Sequence, residues 1–212
     1  MNLKPIKVNS YETGLKGKVT DIFTFDTSLY YMAKKDDIVS YSPSTGVTER
    51  RNAGKTEHKG AEIGLGIKPL KEKIELNASY SYATHKYKTY SISSTFDHSG
   101  KEIPQAPRQI INTRLGYKPA LLKGGIAELE WVRLGKYWLD DANTEKYNGH
   151  DIFNMRVSYY ITKQWEVYAK AINITDKLYA ERVSKSSADS ALYAPGQPRT
   201  FFAGITYNWG RK

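Results

Sequence analysis

The sequence predicts an all-β fold of antiparallel strands joined in chain order. Three observations carry that prediction. Apolar and polar side chains alternate with period two over segment after segment. Aromatic residues, which suit a pleated and half-buried surface, are abundant, with 17 Tyr, 4 Trp and 6 Phe. The connections between the alternating segments switch regularly between short and long.

The elements follow in order. YETGLKGKV is a short strand broken by glycine, and DIFTFDTSLYYMAKKDDIVSY sets Phe23, Phe25, Leu29 and Tyr31 on one row. HKGAEIGLGI aligns Ala61, Ile63, Leu65 and Ile67 against Glu62, Gly64 and Gly66. KIELNASYSYAT places Ile74, Leu76, Ala78, Tyr80 and Tyr82 opposite Glu75, Asn77, Ser79 and Ser81. IINTRLGY puts Ile111, Leu115 and Tyr117 against Asn112, Arg114 and Gly116. GGIAELEWVRLGKYW begins with Ala127, Leu129 and Trp131 opposite Glu128 and Glu130, then changes phase at Val132 and Leu134, where a β-bulge is expected.

DIFNMRVSYYI sets Phe153, Met155, Val157, Tyr159 and Ile161 against Asn154, Arg156 and Ser158. WEVYAKA sets Trp165, Val167, Ala169 and Ala171 against Glu166, Tyr168 and Lys170. RTFFAGITYNW groups Phe201, Ala203, Ile205, Tyr207 and Trp209. These segments make about nine strands in one domain spanning residues 1–212.

GKVTD, KPLKEK, KPALLKGG and ITKQ are short turns. SYSPSTGVTERRNAGK, SISSTFDHSGKEIPQAP, LDDANTEKYNGH and DKLYAERVSKSSADSALYAPGQP are long polar loops. Strands joined in order gather the short turns at one end of the sheet and the long loops at the other, as in a transmembrane β-barrel with short periplasmic turns and long extracellular loops. One strand face then meets lipid and the other a watery lumen. Glu75, Arg114, Glu128, Glu130, Arg156, Glu166 and Lys170 are the charged set expected on the lumen face. Tyr and Trp on the apolar rows fit interfacial girdles.

Composition removes other classes. With 32 Lys plus Arg against 22 Asp plus Glu the net charge is +10, and the absence of cysteine excludes disulfides, thiolate metal sites and cysteine nucleophiles. No run approaches the about 18 apolar residues of a membrane helix, and mean hydropathy is −0.60. There is no G-x-S-x-G elbow, phosphate loop or H-E-x-x-H pair, so no enzyme is expected. The four histidines, His58, His85, His98 and His150, lack metal-site spacing, so neither metal nor cofactor is expected. The aromatics share a face with Ile, Leu and Val rather than with Lys and Arg, which argues against a nucleic-acid partner. His98, His150 and Arg199 fall in or beside long loops and are candidate ligand contacts. Asn173, Asp176 and Lys177 are read as turn formers, and Pro195, Gly196 and Pro198 as residues that set loop geometry.

Four motifs give the chain a family resemblance. YETGLKG at 11–17, NAGKTEHKGAEIGL at 52–65, NITDKLY at 173–179 and PGQPRTFFAGITYNW at 195–209 resemble, in family order, segments of the C-terminal barrel of TonB-dependent outer-membrane receptors. The resemblance implies a barrel of about 22 strands around a plug, importing iron–siderophore complexes or similar scarce nutrients with energy from TonB. It also implies outer-membrane lipid and the barrel assembly machinery as partners, with Phe201, Ala203, Ile205, Tyr207 and Trp209 as the assembly signal. Gly210, Arg211 and Lys212 after the terminal aromatic depart from the family pattern. The start MNLKPIKVNSYETGLKG has no apolar signal region, and neither plug nor TonB box is present, so a fragment not competent for transport alone is expected. A self-sufficient small barrel, porin-like or adhesin-like, and a soluble basic β-sheet module remain open at this point.

Overall fold

The computed structural model describes residues 3–44, 47–70, 73–91, 93, 97–185 and 190–209; Gly210, Arg211 and Lys212 lie outside the described residues. Its strands are β1 (Lys7–Lys18), β2 (Phe23–Ser44), β3 (Val47–Ile67), β4 (Ile74–Thr89), β5 (Gln109–Tyr117), β6 (Gly125–Leu134), β7 (Tyr137–Trp138), β8 (Lys146–Tyr147), β9 (His150–Tyr160), β10 (Trp165–Ile172), β11 (Ala180–Lys185), β12 (Ala191–Pro195) and β13 (Thr200–Tyr207). Nine of them form one antiparallel sheet in the order β1-β2-β3-β4-β5-β6-β9-β10-β13. The other four are two small hairpins, β7-β8 and β11-β12, carried by the long connections.

Register follows the alternation. The row Phe23, Ile67, Leu76, Leu115, Leu129, Met155, Ala171 and Phe201 crosses eight strands as directly opposed residues, all apolar. A one-residue slip at any step would send that strand's apolar set to the charged face, so the pattern pins the register. Short connections at 19–22, between Ile67 and Ile74, and at 118–124 and 161–164 share one end of the sheet.

Two expectations are corrected. SYSPSTGVTERRNAGK is not a free loop: β2 and β3 continue through it as a paired hairpin, from Ile38↔Asn52 to Ser44↔Val47. The hairpin has register shifts between Lys34 and Asp37, and Asn52 ties it to the chain start by accepting from Lys4 N (2.6 Å) and donating to Lys4 O (2.8 Å). The bulge expected in β6 is also absent, because β6 pairs with both neighbours without a shift through Leu134. The apolar phase changes there because the surroundings do. Leu134 lies on the otherwise polar face, where a loop cluster covers it. On the opposite face Arg133 pairs with Asp151 (2.8 Å), and Trp131 Nε1 donates to the same carboxylate (2.9 Å).

The small core sits in the loops rather than between sheet layers. Tyr137, Leu139, Ala180 and Val183 are buried together, with Leu134, Tyr147 and Ala191 packed around them. The Tyr137 hydroxyl accepts from Val183 N (2.8 Å) and donates to Val183 O (3.3 Å). Tyr147 Oη repeats this with the backbone of Ala180, donating to its O (3.1 Å) and accepting from its N (3.3 Å). Two phenols on the first hairpin thus hold the backbone of the second.

Val183 is 0% exposed, so losing the phenol leaves its N–H with no water to replace it. Tyr137→Phe is expected to cost the loop cluster about 1–3 kcal/mol, read as a roughly 5- to 150-fold fall in the hydrogen-exchange protection of the Val183 amide. Unchanged protection would remove this contact as the clamp.

Candidate functional site

Register places all seven predicted charged residues on one face of the sheet. Asn77, Arg114, Glu130 and Asn154 are successive opposed residues across β4, β5, β6 and β9. Glu75, Gly116, Glu128, Arg156, Lys170 and Phe202 form the next row. Glu166 lies on β10 beyond Tyr168, on the same side.

Five of these seven charges are paired. Glu130 accepts from Arg114 (3.0 Å), Asn112 (3.1 Å) and Asn154 (2.9 Å). Arg156 donates to Glu166 (2.8 Å) and stacks its guanidinium on Tyr168, 4.2 Å from the ring centre. Glu75 pairs with Lys68 (3.5 Å). Toward the short turns the face becomes smooth: a groove of 570 Å³ is lined by Lys16, Asp26, Gly64, Gly66, Asn77 and Ser79. At Gly60 an added Cβ would meet the Tyr30 hydroxyl at 2.7 Å and the Tyr82 carbonyl oxygen at 2.7 Å, so the bare backbone leaves room for the aromatic ring.

At the other end the long connections interlock. Tyr87 donates to Asp141 (2.8 Å), and Gln105 N donates to Trp138 O (2.9 Å). Asn143 Oδ1 accepts from Glu102 N (2.7 Å) while Asn143 Nδ2 donates to Glu102 O (2.8 Å). Asp140 caps its own turn by accepting from Thr144 N (3.0 Å) and Glu145 N (2.9 Å). Partial burial would raise the Asp140 carboxyl, but these amide donors hold it below its ordinary value. The Arg108 guanidinium, bonded to Glu102, likewise holds that carboxyl low.

The three predicted loop contacts have different fates. His98 is in the loop, with its ring 6.0 Å from that of Tyr90. His150 is the first residue of β9 rather than a loop residue, and it is structurally engaged: Tyr147 Oη lies 2.9 Å from its Nδ1 and the Tyr179 ring 4.5 Å from its own. Arg199 is exposed and tied to Asp176, through its N–H to Oδ1 (3.0 Å) and its guanidinium to Oδ2 (3.5 Å). Phe201, Ala203, Ile205 and Tyr207 line the outer apolar row of the last strand, with Phe201 71% and Ile205 69% exposed, and Trp209 follows just beyond its end.

Tertiary structure makes one unit of two motifs that are separate in sequence. Asn173, fully buried and left-handed (φ 51°), donates from Nδ2 to Lys177 O (2.9 Å) and Gln197 O (3.1 Å). Its own N–H donates to Asn154 on β9 (2.9 Å). The Tyr179 ring lies over Gly196 where any Cβ would overlap it. NITDKLY and PGQPR are therefore halves of one joint, which sets where β13 joins the sheet.

A second contact that the spacing did not indicate joins His58 and His85, whose Nδ1 atoms are 2.8 Å apart. The residues are 27 apart in sequence, and only the β3–β4 register brings them together. Among the described residues no group of three or more His, Cys, Asp or Glu side chains is placed to share a metal ion.

Comparisons with known proteins agree with this geometry. A family model described as TonB dependent receptor-like, beta-barrel matches residues 1–174. The Ferrioxamine B receptor of Salmonella typhimurium strain LT2 is 25% identical over 150 residues, 71% of this chain and 20% of that protein. Among solved structures, the siderophore receptor PiuA from Acinetobacter baumannii superposes with a TM-score of 0.77 at 19% identity, over 94% of this chain and 28% of that one. The ferric yersiniabactin uptake receptor FyuA from Yersinia pestis gives a TM-score of 0.73 at 16% identity, covering 94% and 29%. The chain spans about a fifth of the length of the curated relatives it matches.

Two outcomes test the joint and the loop interlock. Gly196→Ala is expected to cost about 1–3 kcal/mol locally, read as lost exchange protection over 173–185 and 190–199, and adding Tyr179→Ala is expected to cost less than the sum of the two single changes. Glu102 and Asp140 have folded-state pKa values below their unfolded ones. Their contribution is complete above the unfolded values and is lost as pH falls through the folded ones. Protection factors over 97–108 and 140–146 should therefore fall below about pH 4 and be flat from pH 5 to 8.

Proposed function

The chain belongs to the TonB-dependent receptor-like β-barrel family, and from that premise we propose that it forms part of the wall of an outer-membrane receptor that takes up iron–siderophore complexes. The proposed wall turns its apolar face to lipid and its charged face to the lumen, with the interlocked loops at the extracellular mouth. Further strands complete the barrel, a plug fills it, TonB supplies energy, and the barrel assembly machinery inserts it through the last strand. The nine strands do not transport alone. The family's members are receptors rather than enzymes.

The observation that carries this reading is the slant of the apolar band. On β2 the outward apolar row reaches Tyr31, yet on β13 it reaches only Phe201, whose row meets β2 at Phe23. The upper edge therefore falls by eight residues, 31 − 23, across seven steps between neighbouring strands. At about 3.4 Å per residue and about 4.8 Å per step this is a tilt of about 39°. The lower edge falls six residues, from Phe201 to Tyr207, giving about 31°. Strands of membrane barrels typically tilt by about 35–45°, a range the upper edge falls in and the lower edge approaches. A soluble sheet has no need of such a slant.

Charge placement supports the same orientation. Lys59, on the outward row, stands at the level of Tyr31, and its partner Glu57 also holds Lys88 (3.1 Å). These charges lie at and above the upper edge of the band, at headgroup depth.

Paired substitutions in the full receptor test the orientation. Leu115→Arg, on the apolar row, is expected to cost about 2–4 kcal/mol and to reduce the heat-modifiable folded form. Arg114→Leu, one residue away on the other face, should leave folding largely intact. Equal losses for the two would overturn the assignment. The transport reading is tested by uptake of ⁵⁵Fe-labelled ferrioxamine, ferric catecholate and ferric citrate by cells carrying the full receptor. Uptake that requires TonB supports it, and TonB-independent passage or none contradicts it.

A further inference from the structure

We propose that Met32, His58 and His85 form a copper site on the charged face of the sheet, near the mouth. The site does not depend on which iron complex the receptor imports.

Directly opposed residues of an antiparallel pair point to the same side, with Cβ atoms about 4.5–5.5 Å apart. Met32↔His58 and His58↔His85 are two such pairs on β2, β3 and β4, so a thioether and two imidazoles stand in one transverse row. The imidazole Nδ1 atoms are 2.8 Å apart and the ring centres 5.1 Å apart. His58 Nε2 lies 3.0 Å from Thr56 Oγ1, which orients the ring with Nδ1 toward His85.

The 2.8 Å separation is that of a hydrogen bond between the rings, and the choice of metal follows from the donor set, two imidazoles and a thioether. Tetragonal nitrogen coordination favours Cu(II) or Ni(II), and a neighbouring thioether adds a soft donor that favours Cu(I). Copper also stands highest in the divalent affinity order.

Without metal, one ring donates its Nδ1 proton to the other. Metal binding moves that proton to Nε2, and on His58 the Nε2–H then donates to Thr56. Both rings lie above the apolar band, because Met32, His58 and His85 stand one residue beyond the row of Tyr31 and Lys59. The charged groups acting on the pair are Lys34 and Asp37 on β2 and Glu102 in the β4–β5 loop. Asp37 and Glu102 offset the repulsion from Lys34.

The test uses the full receptor in detergent, titrated with Cu(II), Zn(II) and, under reducing conditions, Cu(I) held by a competing chelator. The expected result is one copper bound per chain, with nitrogen hyperfine splitting in the Cu(II) resonance spectrum. Zinc should bind at least tenfold more weakly. His58→Ala and His85→Ala should each weaken Cu(II) binding at least tenfold. Met32→Leu should keep Cu(II) binding and weaken Cu(I) about tenfold. Unchanged heat-modifiability and iron-complex uptake show that each variant is folded. Where an alanine variant fails that check, His58→Gln and His85→Gln replace it. Copper binding that survives both histidine substitutions, absent nitrogen splitting, or zinc binding as tight as copper would each overturn the site and leave a plain imidazole hydrogen bond.

Discussion

A backbone amide in hydrocarbon has no water to turn to, and this one constraint governs the architecture. Every strand of the main sheet pairs with its sequence neighbour or across an inserted hairpin, so the interior strands are hydrogen-bonded on both sides over their shared length. Only β1 and β13 have one partner each in the sheet. In lipid such edges need partners, which is why a nine-stranded sheet is read as an arc of a larger closed wall. Antiparallel connection in chain order then follows without long crossings, and short turns collect at one end.

Given paired backbones, side chains divide the environment. The outward rows carry Ile, Leu, Val, Phe and Tyr, and the opposite face carries Arg114, Glu128, Glu130, Arg156 and Glu166. Mutual neutralisation matters on that face. Glu130 has three donors and Arg156 has both a carboxylate and an aromatic ring, so few of these charges stand alone. The wall presents polarity and shape there more than net charge.

Above the sheet the order of environments reverses. Leu134 and Ile152 turn toward the side that is polar lower down, while Arg133 and Asp151 turn toward the side that is apolar lower down. The backbone continues undisturbed; what changes is what covers it. The β7-β8 and β11-β12 hairpins form a small dry cluster against Leu134, with phenols of Tyr137 and Tyr147 closing the backbone groups of the other hairpin. The buried cluster is small, so capped turns and phenol clamps fix these loops alongside it.

The sequence by itself determined the strand class, the nine main strands, the short turns and the two faces, because period-two alternation is a local property that survives without knowledge of any partner. It misjudged the phase change at Val132 as a bulge, since alternation reports burial and not its cause. It placed His150 in a loop because polar neighbours surround it, although Tyr147 and Tyr179 hold it at the start of β9. It read NITDKLY and PGQPR as two signals, where Asn173 and Gly196 make one joint. It gave no sign of the row Met32, His58 and His85. Only the tertiary structure decided these, because most of these contacts join residues distant in sequence, and register between strands is fixed by the sum of all paired rows and not by the residues that meet.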